Sequence, residues 1–142
     1  MNTAWRLLLP LIVVASGCAG PPAADDGRGP DTISDLDWEL TAIDGQPSPL
    51  GAGQRPVTLR LDRASSRGGG FAGCNRYSAP FRVGHDSLSF GPAISTKMAC
   101  TEGMELERRF LVALPVITTF SRADSTLTLS GPSGPLAQFH LR

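Results

Sequence analysis

Most of the chain after Leu36 alternates apolar and polar residues with a period of two, which predicts β-strands rather than helices. The first such segment, LDWELTAI, places Leu36, Trp38, Leu40 and Ala42 on one face of a strand. The pattern returns in several later segments and gives about seven or eight short strands. The 16 glycines and 12 prolines of the 142-residue chain favour the many turns that such strands require.

One segment changes period. Between Thr101 and Leu114 the apolar residues Met104, Phe110, Leu111 and Leu114 recur at three- and four-residue spacing, which predicts a helix. Thr101 is a suitable N-cap because its hydroxyl can accept a hydrogen bond from a free backbone N–H. We therefore expect an α+β, mainly β fold: a curved, mainly antiparallel, half-barrel-like sheet packed on one helix that covers its apolar face.

Two connections between the expected strands have clear signals. The glycine-rich segment SSRGGG, residues 65–70, predicts a flexible link, and Phe71 is expected to open a short strand that runs into Cys74. The turn GHD, residues 84–86, predicts a hairpin between the alternating segments on either side of it.

Residues 1–17 have the layout of a secretory signal peptide. One positive side chain, Arg6, precedes an apolar run that is too short for the ~20 residues that span a bilayer. The following ASGC resembles a bacterial lipobox, and the resemblance implies cleavage before Cys18 and acylation of that cysteine. The residue after this cysteine is Ala19 rather than an aspartate. By analogy with enterobacterial lipoproteins, this favours sorting to the outer membrane over retention in the inner membrane. We therefore expect a lipid-anchored protein of the cell envelope that faces the periplasm.

Residues 18–34 are expected to form the acylated cysteine and a disordered tether. The segment consists mainly of Ala, Gly, Pro and Asp and has almost no apolar side chains before Ile33. It therefore cannot bury enough surface to offset the entropy lost on ordering. The folded part is expected to span residues 35–142, which is enough for one domain.

Charge and the few chemically active side chains argue against several function classes. The formal net charge is +0, whereas a nucleic-acid-binding domain usually carries a basic excess, so we expect no nucleic-acid partner. His85 and His140 have no metal-ligand spacing, and no sequence motif indicates a nucleophile with its base. We therefore expect no catalytic residue, no metal and no cofactor. A triad assembled only in three dimensions stays open.

Cys74 and Cys100 are the only cysteines of the expected folded part. An exported chain enters an oxidising compartment, where an even pair of cysteines indicates a disulfide. The enclosed loop of about 27 residues would stabilise the fold by roughly 3.5 kcal/mol on the loop-entropy formula. The alternative is a redox or nucleophilic cysteine, which has no C-x-x-C motif to support it.

Polar residues follow Cys74 directly. Asn75, Arg76 and Tyr77 can all donate hydrogen bonds. Glu107 falls among the apolar positions of the predicted helix, where a charge needs a partner, and Arg76 is the candidate cation. We predict a structural polar network of Asn75, Arg76, Tyr77 and Glu107. The alternative is that Arg76 binds an anion.

These motifs together resemble the META/HslJ-like family, also called DUF306. The resemblance is carried by GFAGCNRYSAPF, by LSFGPAISTKMAC and by Glu107-x-x-Phe110 with Leu114, and the opening WELTAIDGQP is similar to the first strand of that family. It implies a small β-rich domain with one helix, often carried by a bacterial lipoprotein. The family is associated with heat shock and envelope stress and has no established general catalytic activity.

The favoured function is therefore a lipid-anchored, non-catalytic envelope module with a binding or structural role under stress. Its expected partners are membrane lipid, through acylated Cys18, and an envelope protein or small molecule of unknown identity. One alternative is a periplasmic module that binds a small molecule on the concave side of the sheet. Another is an enzyme of unknown type.

Overall fold

The structure is a computed structural model that describes residues 27–142. The predicted signal peptide and Cys18 lie outside these residues. The described part contains one α-helix, α1 (Met104–Ala113), and short 3-10 turns at Pro30–Thr32, Ala52–Gln54 and Leu114–Val116. Its ten strands are β1 (Asp37–Ile43), β2 (Gln46–Pro47), β3 (Thr58–Asp62), β4 (Arg67–Phe71), β5 (Arg76–Val83), β6 (Leu88–Phe90), β7 (Ile94–Ser95), β8 (Thr119–Ala123), β9 (Thr126–Gly131) and β10 (Gly134–Leu141).

The strands form a single antiparallel sheet that curves almost into a closed barrel. Its order is β6-β5-β4-β3-β1-β10-β9-β8, with β2 beside β1 and β7 beside β5. The two ends of this order meet through a bridge between Ser87 and Thr119. At the same seam the Phe120 N–H donates to the Asp86 carbonyl at 3.0 Å. The predicted fold class is confirmed. Within the described residues the sheet has ten strands rather than seven or eight, and the additional strands include β2, whose two residues are too few to show an alternation.

Strand β4 corrects the prediction of a flexible link at SSRGGG. Gly68 pairs with Leu61 of β3 and with Ala79 of β5, so this segment is an internal strand. A Cβ on Gly68 would lie 3.0 Å from side-chain atoms of Leu61 and Phe90, so a larger residue here would force these side chains to shift. The strand ends at Phe71 rather than beginning there. Consecutive glycines carry no side chains and therefore give no alternation.

Strand β1 carries a local irregularity that changes its inward face. Its register with β10 shifts between Leu40 and Ala42, as in a β-bulge. Because one residue is added at this point, Ile43 rather than Ala42 reaches the core, and Ile43 is fully buried. The predicted inward position of Trp38 and Leu40 is confirmed.

Helix α1 covers the concave face of the sheet, as predicted, but it begins later than predicted. Its first residue is Met104, and the preceding Gly103 has a φ of 85°, so Thr101 is not the N-cap. Phe110 lies at the centre of the buried face. Its ring makes edge contacts with Tyr77 at 5.2 Å and with Phe139 at 6.2 Å between centroids. The helix therefore packs against both halves of the curved sheet.

Side chains of the sheet fill the remaining concave space. The largest fully buried ones are apolar: Trp38, Phe110, Phe139, Ile33, Ile43, Leu59, Leu61, Leu88, Leu114, Ile117, Leu127 and Leu129. This core holds the barrel together, because apolar burial stabilises by roughly 25 cal/mol per Å². Among residues 27–142, no helix is long and apolar enough to cross a membrane.

The segment before β1 belongs to the folded body, which corrects the end of the predicted tether. Ile33 is fully buried, and its carbonyl accepts a hydrogen bond from Trp38 Nε1 at 2.9 Å. The Arg122 guanidinium of β8 donates to the Thr32 carbonyl. Ile33 is a single apolar residue in a polar segment, so its burial depends on a contact that only the folded barrel provides. The folded body thus includes the turn at Pro30–Thr32 and does not begin at residue 35.

Candidate functional site

The structure contains the predicted disulfide between Cys74 and Cys100, with 5.9 Å between the two Cα atoms. Cys74 lies in the connection between β4 and β5, and Cys100 lies in the segment that leads to α1. The bond therefore joins the sheet to the approach of the helix.

Glu107 and Asn75 form a buried polar pair beside this disulfide. Glu107 Oε2 accepts hydrogen bonds from the backbone N–H of Cys74 at 3.0 Å and of Asn75 at 2.5 Å. Glu107 Oε1 accepts from Asn75 Nδ2 at 2.8 Å. The carboxylate is 7% exposed, and hydrogen-bond donors rather than a cation satisfy both of its oxygens. We call Cys74, Cys100, Asn75 and Glu107 the stapled junction.

The Asn75 side chain also fixes the segment that leads from β7 to the helix. Its Nδ2 donates to the Met98 carbonyl at 3.1 Å, and its Oδ1 accepts from the Met98 N–H at 2.7 Å. The Thr96 hydroxyl donates to the same oxygen at 3.0 Å. Together with the bond to Glu107, the amide makes four hydrogen bonds. The predicted roles of Asn75 and Glu107 in a structural network therefore agree with their contacts.

Three glycines allow the chain segments to meet at the stapled junction. A Cβ on Gly73, whose φ is 129°, would lie 2.7 Å from the Gly103 carbonyl oxygen. A Cβ on Gly51 or on Gly103 would lie 2.2 or 2.1 Å from the Gly73 carbonyl oxygen. Any side chain at these positions would separate the segments, so the tight packing requires glycine at all three.

Tyr77 and Arg76 lie apart from this network. The Tyr77 hydroxyl donates to the Thr58 carbonyl at 2.9 Å, and burial raises the pKa of Tyr77 well above its usual value. Arg76 is exposed and, within residues 27–142, forms no ion pair with Glu107, which corrects that predicted pairing. Strand alternation is the reason: Tyr77 faces the core, so its neighbour Arg76 faces outward.

Arg76 instead lines an open groove of about 770 Å³ on the outer face of the sheet. Strands β3, β4, β5 and β7 form the groove. Its lining includes the side chains of Arg60, Arg67 and Ile94. The consecutive glycines of β4, residues 68–70, form its floor and leave the backbone without side chains. We call this feature the arginine groove.

The arginines of this groove differ in their partners. Arg60 Nη1 lies 3.3 Å from Asp37 Oδ1, and Arg67 Nε donates to Ser78 Oγ at 2.8 Å. Arg76 has no side-chain hydrogen bond or ion pair within the described residues. The groove was missed in the sequence because its residues come from four strands whose pairing is not visible there. The available signal in the sequence was that arginines such as Arg60 occupy the outward positions of alternating strands.

Metal and proton-transfer chemistry have little support in the described residues. Within residues 27–142 no group of three His, Cys, Asp or Glu side chains could hold a metal ion. His85 and His140, the two histidines, are exposed on separate elements.

The fold is a nearly closed antiparallel barrel with a filled core and one covering helix. This architecture defines a class of small β-rich domains that are stabilised by the burial of apolar side chains. Residues 31–141 match the META domain family over most of the chain, and the protein belongs to this family. The family is not a known enzyme family.

Two solved structures support this assignment at the level of the fold. An NMR structure of a protein from Burkholderia xenovorans is 27% identical, with a TM-score of 0.66, and the match covers 91% of this chain and 99% of that one. A second NMR structure is 18% identical, with a TM-score of 0.62, and the match covers 80% and 94% of the two chains. No curated protein matches the chain.

Proposed function

We propose that this META domain protein is a lipid-anchored component of the bacterial cell envelope. Its domain would act there as a rigid, non-catalytic binding or structural module. Acylated Cys18 would hold the protein in the outer membrane, and the residues after it would tether the domain on the periplasmic side. A role under heat or envelope stress is part of the proposal, because the META/HslJ-like resemblance associates the family with such conditions.

One observation supports the non-catalytic role: every buried polar side-chain atom at the stapled junction has a hydrogen-bond partner within the protein. Both oxygens of Glu107 and both ends of the Asn75 amide are engaged within the protein. Both side chains are buried, and a general acid or base must lie within hydrogen-bond reach of a substrate. The arrangement supports a role in stability.

The disulfide supports export, because such bonds form and persist outside the cytoplasm. The concave face does not favour the alternative of a ligand pocket inside the sheet. Phe110 and the surrounding core side chains occupy that space. A binding role would therefore use the outer surface.

Cell fractionation of the full chain in a bacterial host tests the anchor. We expect the wild-type chain in the outer-membrane fraction, with incorporated labelled palmitate. The Cys18→Ser chain is the matched control and should lose both the label and the membrane association. Equal distribution of the two chains, without label in either, would contradict the proposed anchor.

Chemical cross-linking in intact cells, before and after heat shock, tests the binding role. Partners captured by both the wild-type and the Cys18→Ser chain belong to the domain itself. If neither chain captures a partner above an unrelated exported control protein under either condition, the proposed binding role fails.

A further inference from the structure

We propose that the arginine groove binds a ligand that carries a phosphate or carboxylate group on an apolar body, with Arg67 and Arg76 as the residues that hold the anion. The inference deepens the binding role proposed above, and it rests on that role but not on the lipid anchor. The groove supplies the three requirements of such a site: volume, a net positive charge and an apolar wall.

The shape of the groove follows from strand register. Arg60 of β3 lies opposite Gly69 of β4, Gly69 lies opposite Ser78 of β5, and Ser78 lies opposite Ile94 of β7. Gly69 has no side chain, so the surface is depressed in the middle of this row of neighbours. The larger side chains of Arg60 and Ile94 form the two sides of the depression. The volume of about 770 Å³ lies within the range of roughly 300–1,000 Å³ typical of small-molecule sites.

Arg67 and Arg76 keep the donors that an oxyanion needs. Arg67 uses Nε to hold Ser78 Oγ at 2.8 Å, which orients its guanidinium while both terminal nitrogens remain available. Arg76 has no side-chain partner within residues 27–142. A planar guanidinium matches a phosphate or carboxylate with two parallel hydrogen bonds, and these charge-assisted bonds are stronger than neutral ones.

Two carboxylates lie near the groove: Asp62 lines it and is the cross-strand neighbour of Arg67, and Asp37 lies on β1. Asp62 accepts a hydrogen bond from the Ser65 backbone N–H at 3.1 Å, and Asp37 pairs with Arg60 at 3.3 Å. Neither carboxylate forms an ion pair with Arg67 or Arg76. Three arginines thus line the groove against one carboxylate, Asp62, so the net charge of the lining is positive.

Ile94 supplies the apolar wall. Its side chain is 68% exposed, although β7 pairs it with Ser78 at the edge of the groove. A ligand with an apolar body would cover this side chain while its anion reached the guanidinium groups. An inorganic anion would leave Ile94 in water and lose that contribution.

Nitrogen-15 NMR of the arginine Nε groups provides a direct test. The full chain is mixed with nanodiscs of neutral phosphatidylcholine and titrated with phenyl phosphate or with inorganic phosphate. We expect saturable shifts of the Arg67 and Arg76 signals, with phenyl phosphate binding at least several-fold more tightly. Equal affinity for the two probes would overturn the apolar part of the proposal, and no saturable shift in any arm would overturn the whole.

A second arm distinguishes the source of the ligand. Nanodiscs that contain phosphatidylglycerol replace the neutral ones, and no phenyl phosphate is added. Shifts of the same two signals would identify a membrane lipid headgroup as the ligand. Shifts only with phenyl phosphate would identify a soluble anion. Either result supports the site.

Arg82→Gln is a matched control because Arg82 is an exposed arginine of the same strand that does not line the groove. We expect Arg76→Gln to weaken phenyl phosphate binding at least about tenfold, and Arg82→Gln to change it less than about twofold. Equal losses in both variants would indicate diffuse attraction and overturn the site. This titration can fail while Cys18 fractionates as proposed, so the two proposals are separable.

Discussion

Replacement of Asn75 by alanine removes the side chain that joins three segments at the stapled junction. Four hydrogen bonds are lost: one to Glu107, two to Met98 and one to Thr96. The bond to the buried carboxylate should contribute about 1.5–3 kcal/mol, because it is charge-assisted. The other three should contribute about 0.5 kcal/mol each, at the low end of the usual range, because Thr96 and Met98 are exposed and water can replace the amide.

The expected loss in the free energy of unfolding for Asn75→Ala is therefore about 3–4.5 kcal/mol. This is a large fraction of the roughly 5–15 kcal/mol that holds a domain folded. Urea denaturation followed by Trp38 fluorescence measures the loss, because Trp38 is fully buried in the folded state. With a slope of about 1–2 kcal/mol per molar urea, the midpoint should fall by roughly 1.5–4.5 M.

Two variants make the interpretation of Asn75→Ala specific. Asn75→Asp keeps the shape but places a carboxylate oxygen against Glu107 Oε1, so at neutral pH it should cost at least as much as alanine. Ser78→Ala removes one exposed hydrogen bond from the neighbouring strand and should cost less than about 0.5 kcal/mol. A loss below about 1 kcal/mol for Asn75→Ala would show that the junction does not contribute as its contacts indicate.

Three further predictions concern the same region. Reduction of the Cys74–Cys100 bond should lower stability by about 3.5 kcal/mol in urea denaturation, and an unchanged midpoint would contradict the loop-entropy reasoning. Gly73→Ala should destabilise by at least about 2 kcal/mol more than Gly134→Ala, because both positions have a positive φ but only Gly73 lacks space for a Cβ; equal losses would refute the packing argument. Burial raises the pKa of Tyr77, the only tyrosine, so the folded state retains the proton after the unfolded chain releases it near pH 10. Stability should therefore be complete below about pH 10 and fall above it, and tyrosinate absorbance should appear only as the protein unfolds; reversible titration near pH 10 in the folded protein would contradict this burial.

The sequence predicted the stapled junction better than the surface site. Cys74 and Cys100 form an even pair, and Glu107 is a charge in an apolar pattern, so each feature signals a need for a partner. The partner of Glu107 was harder to identify, because backbone N–H groups and Asn75 satisfy it without a cation. Opposite charge suggested Arg76, but a carboxylate can be satisfied by any well-placed donors.

The arginine groove could not be derived from the sequence. Its residues lie on β3, β4, β5 and β7, and only strand register places Arg60, Gly69, Ser78 and Ile94 in one row. The glycines of β4 concealed a strand, since an alternation cannot be seen where residues have no side chains. Sequence reasoning identified Arg76 as an alternative anion-binding residue but had no neighbours to assign to it.

The amino-acid sequence by itself determined the mainly β class, the position of one helix and the two cysteines that pair. Each of these depends on local periodicity or on a rare residue type, which is visible over a few positions. Only the tertiary structure decided the closure of the barrel, the burial of Ile33 and the position of Arg76 beside Arg67 in one groove. These depend on which distant segments meet, and that is set by packing across the whole core.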